Sequence, residues 1–232
     1  MSSPADNSKA PDAIKKSVDR DVSGFICTHM RVAAVPFIPE IRLYTAHPGS
    51  GLRRLTEAEG DADPLPPYWA YPWAGGLVLA RYFLDRPEIV TGRRVLDLGA
   101  GSGLVGIAAM KAGASEVIAA EIDRNGVAAI GLNAAENGVS ITAIGTDITP
   151  GSPLSVDLVA VGDLFYESQL AERVTAFLDR CLDAGIDVLI GDPGRAYLPR
   201  SRLRQLAEYR VPDFGVGRDA DIRPSAVFAL EP

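Results

Sequence analysis

The chain has 232 residues, 47% hydrophobic and 23% charged, which suits one globular domain with a core large enough to need no disulfide or metal staple. Its net charge of −7 argues against a nucleic-acid backbone as partner, because phosphate binding calls for clustered Lys and Arg, and leaves a cationic or protein substrate easier to accommodate. No apolar run approaches the roughly 18 to 20 residues of a membrane-spanning helix, so no membrane partner is expected.

Residues 1–24 are polar, carry Asp6, Asp12, Asp19 and Asp21, and read as a flexible tail. That acidity speaks against a transit peptide and the missing apolar stretch against a secretory signal, so the cytoplasm is the expected location. Residues 25–90 read as an N-terminal extension and lid. Within them Gly24 to Leu65 is irregular, apart from a short strand over Ile41–Ala46 and a turn at Pro48-Gly49-Ser50-Gly51. After the interruption at Pro64-Leu65-Pro66-Pro67, Leu77, Ala80 and Leu84 predict a helix over Trp73–Leu84.

From residue 91 to 232 strand-like and helix-like patterns alternate. Strands are expected over Arg94–Leu98, Val117–Glu121, Ile141–Thr146, Val156–Val161 and Asp187–Ile190, with two more near Tyr209–Val211 and Ser225–Leu230. Helices are expected over Leu104–Lys111, Arg124–Asn137, Glu167–Asp183 and Arg200–Tyr209. Such alternation predicts a doubly wound α/β core, with parallel strands, helices on both faces, and ligands at the carboxyl ends of the strands. Cys27 and Cys181 lie far apart, which suggests neither a disulfide nor a zinc site; Cys181 continues the apolar face of Leu170, Val174, Phe177 and Leu178 and reads as core. His29 and His47 lack ligand-like neighbours, and no metal is expected.

The central signal is Val95-Leu96-Asp97-Leu98-Gly99-Ala100-Gly101-Ser102-Gly103-Leu104-Val105-Gly106, a strand feeding a glycine turn that opens a helix. Glycines let the backbone come close to a ligand, and a helix N-terminus favours an anionic group. Gly101, Gly103 and Gly106 also spell the dinucleotide fingerprint, and Glu121, twenty positions on, suits either reading because it can hold ribose hydroxyls. Asp97 tips the balance, being an odd neighbour for a pyrophosphate and a good partner for a ligand ammonium group. Residues 95–106 thus resemble motif I of the class I methyltransferases. That resemblance implies a Rossmann-like, mostly parallel seven-stranded sheet and S-adenosylmethionine as cofactor. By the same resemblance the cofactor-binding residues are Trp73, Asp97, Gly99, Gly101, Gly103, Glu121, Ile122, Asp147 and Ile148, with Glu121 on the ribose and Asp147 at the adenine amine.

On the substrate side, Asp163-Leu164-Phe165-Tyr166-Glu167 resembles the Asp-x-x-Tyr signature of the protein lysine methyltransferases called family 16. The segments Pro67–Gly76 and Gly191-Asp192-Pro193-Gly194-Arg195 look like those of the electron transfer flavoprotein β-subunit lysine methyltransferases, a resemblance that runs over about residues 60–200. It implies a monomeric enzyme acting on that β-subunit, with Asp163 and Tyr166 as catalytic residues and Trp69, Phe165, Glu167, Asp192 and Arg195 against the substrate. Asp163 suits an orienter of the lysine amine better than a strong base, since its charge also favours the ammonium. The aromatic faces of Tyr166, Trp69 and Trp73 suit cations, while packing of a lid also accounts for the two tryptophans. The Gly191–Arg195 stretch is a tight turn by composition, which is either its whole role or a frame for the substrate entrance. Other readings are methylation of another protein such as a ribosomal protein, or of a small amine; a nicotinamide-dependent oxidoreductase; and a methyltransferase-like domain that binds a partner without turnover.

Overall fold

The computed structural model describes residues 22–57, 66–213 and 221–232. It opens with a helix over residues 22–29 (α1), strands Arg31–Val35 (β1) and Ile38–Thr45 (β2), and helices Arg53–Glu57 (α2) and Ala74–Asp85 (α3). The core follows as Arg94–Leu98 (β3), Leu104–Lys111 (α4), Glu116–Ala120 (β4), Arg124–Glu136 (α5), Thr142–Ile144 (β5) and Leu158–Gly162 (β6). Ser168–Asp183 (α6), Asp187–Asp192 (β7), Leu203–Asp213 (β8) and Asp221–Leu230 (β9) complete it.

Seven strands form one sheet in the order β5-β4-β3-β6-β7-β9-β8. β3 to β7 pair in parallel, β9 runs antiparallel to β7, and β8 antiparallel to β9, so β9 alone opposes the rest. The expected doubly wound, mostly parallel seven-stranded sheet is thus observed. Its central strands are near-continuous apolar runs because both faces are covered. Val95, Leu158, Ala160 and Leu189 turn to the face that packs on α3 and α4, whereas Leu96, Leu98, Val159, Val161, Val188 and Ile190 turn to the face covered by α6. α6 buries Val174, Phe177, Leu178 and Cys181 on that second face, each apolar side chain contributing about 1.5–3 kcal/mol when fully buried.

The strand order reverses between β3 and β6, which opens a crevice at the carboxyl ends of β3, β4 and β6. α3 packs by backbone contact against the ends of β6 and β7. A Cβ added to Gly75 would overlap the Gly191 carbonyl oxygen and lie 2.7 Å from the Asp163 nitrogen, and one added to Gly162 would lie 3.0 Å from the Gly76 nitrogen. Glycine is required there by close approach of helix to strand.

Two sequence expectations are corrected. Arg200–Tyr209 is not a helix: a 3-10 turn over Arg200–Arg202 leads into β8. Its Arg, Leu, Gln, Ala and Glu favour helix locally, but pairing with β9 wins, and a bulge between Gln205 and Ala207 breaks the period-2 pattern that would have disclosed the strand. The irregular stretch after Gly24 instead holds α1 and a β1–β2 hairpin. The hairpin turn is Pro36-Phe37, and Phe37 occupies the left-handed position (φ 71°) where a glycine would have signalled a turn. The expected tail lies, up to residue 21, outside the described residues. Among the described residues no helix is long and apolar enough to cross a membrane.

Candidate active site

At the crevice the chain encloses a cavity of about 350 Å³. Its floor is the turn after β3. Gly99 (φ 68°) and Gly101 (φ 53°) adopt left-handed conformations that L side chains rarely take, and Gly99 also leaves room for the Leu164 side chain. Glu121, the residue after β4, ties this turn down: its Oε2 accepts from the Gly101 N–H at 2.7 Å and its Oε1 from the Asp123 N–H at 2.8 Å. Burial pushes the Glu121 carboxyl above its ordinary range, against those two donors. Gly126 in α5 makes space for it, since a Cβ there would lie 2.7 Å from the Glu121 Cγ.

Beneath the turn Asp97 is buried and accepts from the Gly106 N–H at 2.8 Å. Burial pushes its carboxyl from 3.8 up to about 7. Folding therefore favours its protonated form. The associated stability is fully present below about pH 4 and is lost as pH rises through about 7. Denaturant titrations should show Asp97→Asn gaining on the wild type by on the order of a few kcal/mol between about pH 4 and 8. A difference independent of pH would mean that the carboxyl is not held protonated. A cation brought next to Asp97 would restore its charge.

Across the cavity, Asp163 follows β6 in a left-handed conformation (φ 58°) and is only 7% exposed. Its Oδ2 accepts from the Gly75 N–H at the start of α3, and its Oδ1 from Arg195 Nε at 2.8 Å. Burial raises its carboxyl to about 6, opposed by the Arg195 guanidinium and the Gly75 N–H. Tyr166, 46% exposed, stands beside Tyr68 with ring centres 5.7 Å apart, and Tyr68 meets Trp73 edge-on at the same distance. Trp73 Nε1 donates to the Tyr68 carbonyl at 2.8 Å, which fixes this aromatic rim.

The structure brings Trp69, Trp73, Gly99, Gly101, Glu121, Ile122, Asp147, Ile148, Asp163, Tyr166 and Arg195 to the cavity wall. The other expected site residues stand elsewhere. Asp97 supports the turn from below. Gly103 is the left-handed N-cap of α4, where a Cβ would lie 3.3 Å from Ile130; it serves helix packing. Phe165 is corrected from substrate contact to core, being fully buried against the α6 face. Glu167 caps α6 by accepting from the Gln169 and Leu170 N–H groups at 2.9 and 3.0 Å. Asp192 is buried and shapes the turn after β7, accepting from the Gly194 and Arg195 N–H groups at 2.6 Å each. Trp69 is also less open than a cation platform: it packs with Val22, Ile26, Met30 and Ala129, and its buried Nε1 has no partner among the described residues.

Sequence reasoning missed Tyr68, Thr146, Thr149, Leu170 and Arg173, which also line the cavity. Tyr68 and Thr146 adjoin residues that were singled out. Arg173 and Leu170 come from α6, whose amphipathic pattern gives no sign that its first turns reach the crevice.

A family model described as ribosomal protein L11 methyltransferase matches residues 81–160. The chain is 41% identical over 172 residues to the electron transfer flavoprotein beta subunit lysine methyltransferase of Rattus norvegicus, covering 72% of this chain and 68% of that protein. It is 37% identical over 220 residues to the protein of the same name from Xenopus laevis, covering 90% of this chain and 86% of that one. Among solved structures, magnesium protoporphyrin IX methyltransferase from Synechocystis PCC 6803, with bound SAM, gives a TM-score of 0.50 at 17% identity over 78% of this chain and 91% of that chain, a likeness of fold alone.

Proposed function

The chain belongs to the electron transfer flavoprotein β-subunit lysine methyltransferase family, and from that premise we propose that it transfers methyl groups from S-adenosylmethionine to lysine side chains of its host's electron transfer flavoprotein β-subunit. It is a protein-lysine N-methyltransferase. The observation that carries the reading is the cavity, which has a glycine turn braced by Glu121 on one side and Asp163 with its aromatic rim on the other.

The residues present fit the proposed cofactor. Glu121 offers a carboxylate to ribose hydroxyls, and Ile122, Asp147 and Ile148 flank a place for the adenine, while buried Asp97, off the cavity wall, holds the start of α4 through the Gly106 N–H. The unpartnered Trp69 Nε1 is a donor awaiting an acceptor, as buried polar groups ordinarily have one. S-adenosylmethionine supplies a methyl group activated by its sulfonium. Glu121→Ala is expected to weaken cofactor binding by about 1.5–3 kcal/mol, the worth of charged hydrogen bonds, read by isothermal titration. Unchanged affinity would remove Glu121 from the ribose.

The chain itself must then present a neutral amine in line with that methyl group. A free lysine has a pKa of about 10.4, so the arriving ammonium must lose a proton before transfer. Asp163 draws in the ammonium and orients the amine, since each of its oxygens retains a lone pair beyond the bonds to Gly75 and Arg195. Incubating the purified protein with labelled S-adenosylmethionine and a lysate of its own host, then identifying labelled lysines by mass spectrometry, tests the substrate. Label on the flavoprotein β-subunit is expected; label confined to a ribosomal or other protein would overturn that assignment.

A further inference from the structure

Arg195 serves two buried carboxylates at once. Its Nε donates to Asp163 Oδ1 at 2.8 Å, while Nη2 and Nη1 donate to Asp213 Oδ1 and Oδ2 at 3.1 and 3.3 Å. Asp213 ends β8 and is 2% exposed. It lies fifty positions from Asp163 in sequence and two strands beyond β7 in the sheet. The guanidinium fork thus faces Asp213, and Asp163 receives a single bond. Asp192 also stands near Asp163, whose place on the cavity wall is where a lysine ammonium would arrive.

We infer that Asp213 is a positioning residue for methyl transfer: by holding the fork of Arg195 it keeps that cation from covering Asp163, so that Asp163 retains charge for the incoming lysine. The inference rests on the reading of Asp163 as the lysine orienter. Without Asp213, Arg195 is free to turn its bidentate edge onto Asp163, the stronger pairing geometry. Asp163 would then be neutralised by its neighbour before substrate arrives. The groups acting on Asp163 are Arg195 and Asp192 from the turn after β7, the Gly75 N–H from α3, and Asp213 through Arg195 from β8.

Two measurements on Asp213→Asn decide the matter. In carbon-13 carboxyl NMR, with the Asp163 signal assigned by its loss in Asp163→Asn, the Asp163 midpoint should move to lower pH in Asp213→Asn, through loss of a negative charge and tighter pairing with Arg195. An unmoved or raised midpoint overturns the inference whatever the substrate is. In steady-state methylation of the purified flavoprotein, kcat/KM for the protein should fall about tenfold, the worth of one charge-assisted hydrogen bond, mostly through KM and with cofactor affinity kept. Adding Asp213→Asn to Asp163→Asn should cost nothing more, since both act through one network. Full additivity, or wild-type kinetics in Asp213→Asn, overturns the inference. Full activity in Asp163→Asn instead defeats the underlying reading of Asp163. Should thermal melting show Asp213→Asn unfolded, Arg195→Lys, which cannot span both carboxylates, is put through the same cycle with the same expectation for kinetics and additivity.

Discussion

Gly75→Ala is expected to destabilise the protein by about 3 kcal/mol or more, at or beyond the upper end for inserting a methyl into a packed interior. The added Cβ would overlap the Gly191 carbonyl oxygen and crowd the Asp163 nitrogen. Both are backbone atoms at buried strand ends, so neither can swing aside as a flexible side chain would. The helix would have to lift instead, and α3 places Leu77, Val78, Leu79, Tyr82 and Phe83 in the main core. Activity should fall with stability, because the Gly75 N–H holds the Asp163 carboxylate. Gly131→Ala in α5 is the matched control. Nothing lies within 4 Å of its added Cβ, so it should gain about 0.5–1 kcal/mol from helix propensity. Urea titration of the two variants checks both signs, and a Gly75→Ala protein as stable as the wild type would mean that α3 does not sit against β7 as described.

Asp163→Asn should lower single-turnover methylation by about 10²-fold, the low end for a positioned acceptor or orienter, with near-normal S-adenosylmethionine affinity. Asparagine tolerates the left-handed backbone at this position. Its side chain, however, has only one acceptor atom. The amide NH2 must face either the Gly75 N–H or the Arg195 Nε–H, donor against donor, and the charge that would draw in a lysine ammonium is gone. The pH profile separates these roles. In the wild type, Asp163 is a carboxylate above about pH 6, so its contribution is lost as pH falls through that value. The variant should lack this acid limb and recover part of its loss as pH rises towards 9.5, roughly a unit below the free lysine pKa. Full activity would reduce Asp163 to a tie between β6 and α3. Activity lost together with cofactor affinity would move it to the cofactor side.

Much of this protein is legible in its sequence because the decisive signals are local. The apolar runs of β3, β4, β6 and β7, the helical spacing of α3 and α6, and the glycine turn after Asp97 are each set by a few neighbouring residues, and their alternation dictates parallel strands between two helical layers. The acids Glu121 and Asp163 are recognisable because each directly follows a strand, β4 and β6, where such sheets collect ligands. What the tertiary structure alone decided is non-local. β8 looks helical until β9 pairs with it, and its bulge hides the alternation that would have betrayed it. Phe165 and Asp192 lie in segments that look like a substrate site, yet one is packed under α6 and the other shapes a turn, contacts that only the assembled layers provide. Gly75 and Gly191 matter to each other across 116 positions, and the Asp163–Arg195–Asp213 network joins the segments after β6 and β7 to the end of β8. Local pattern can say which residues face inward, but distance between remote residues is set only when the layers pack.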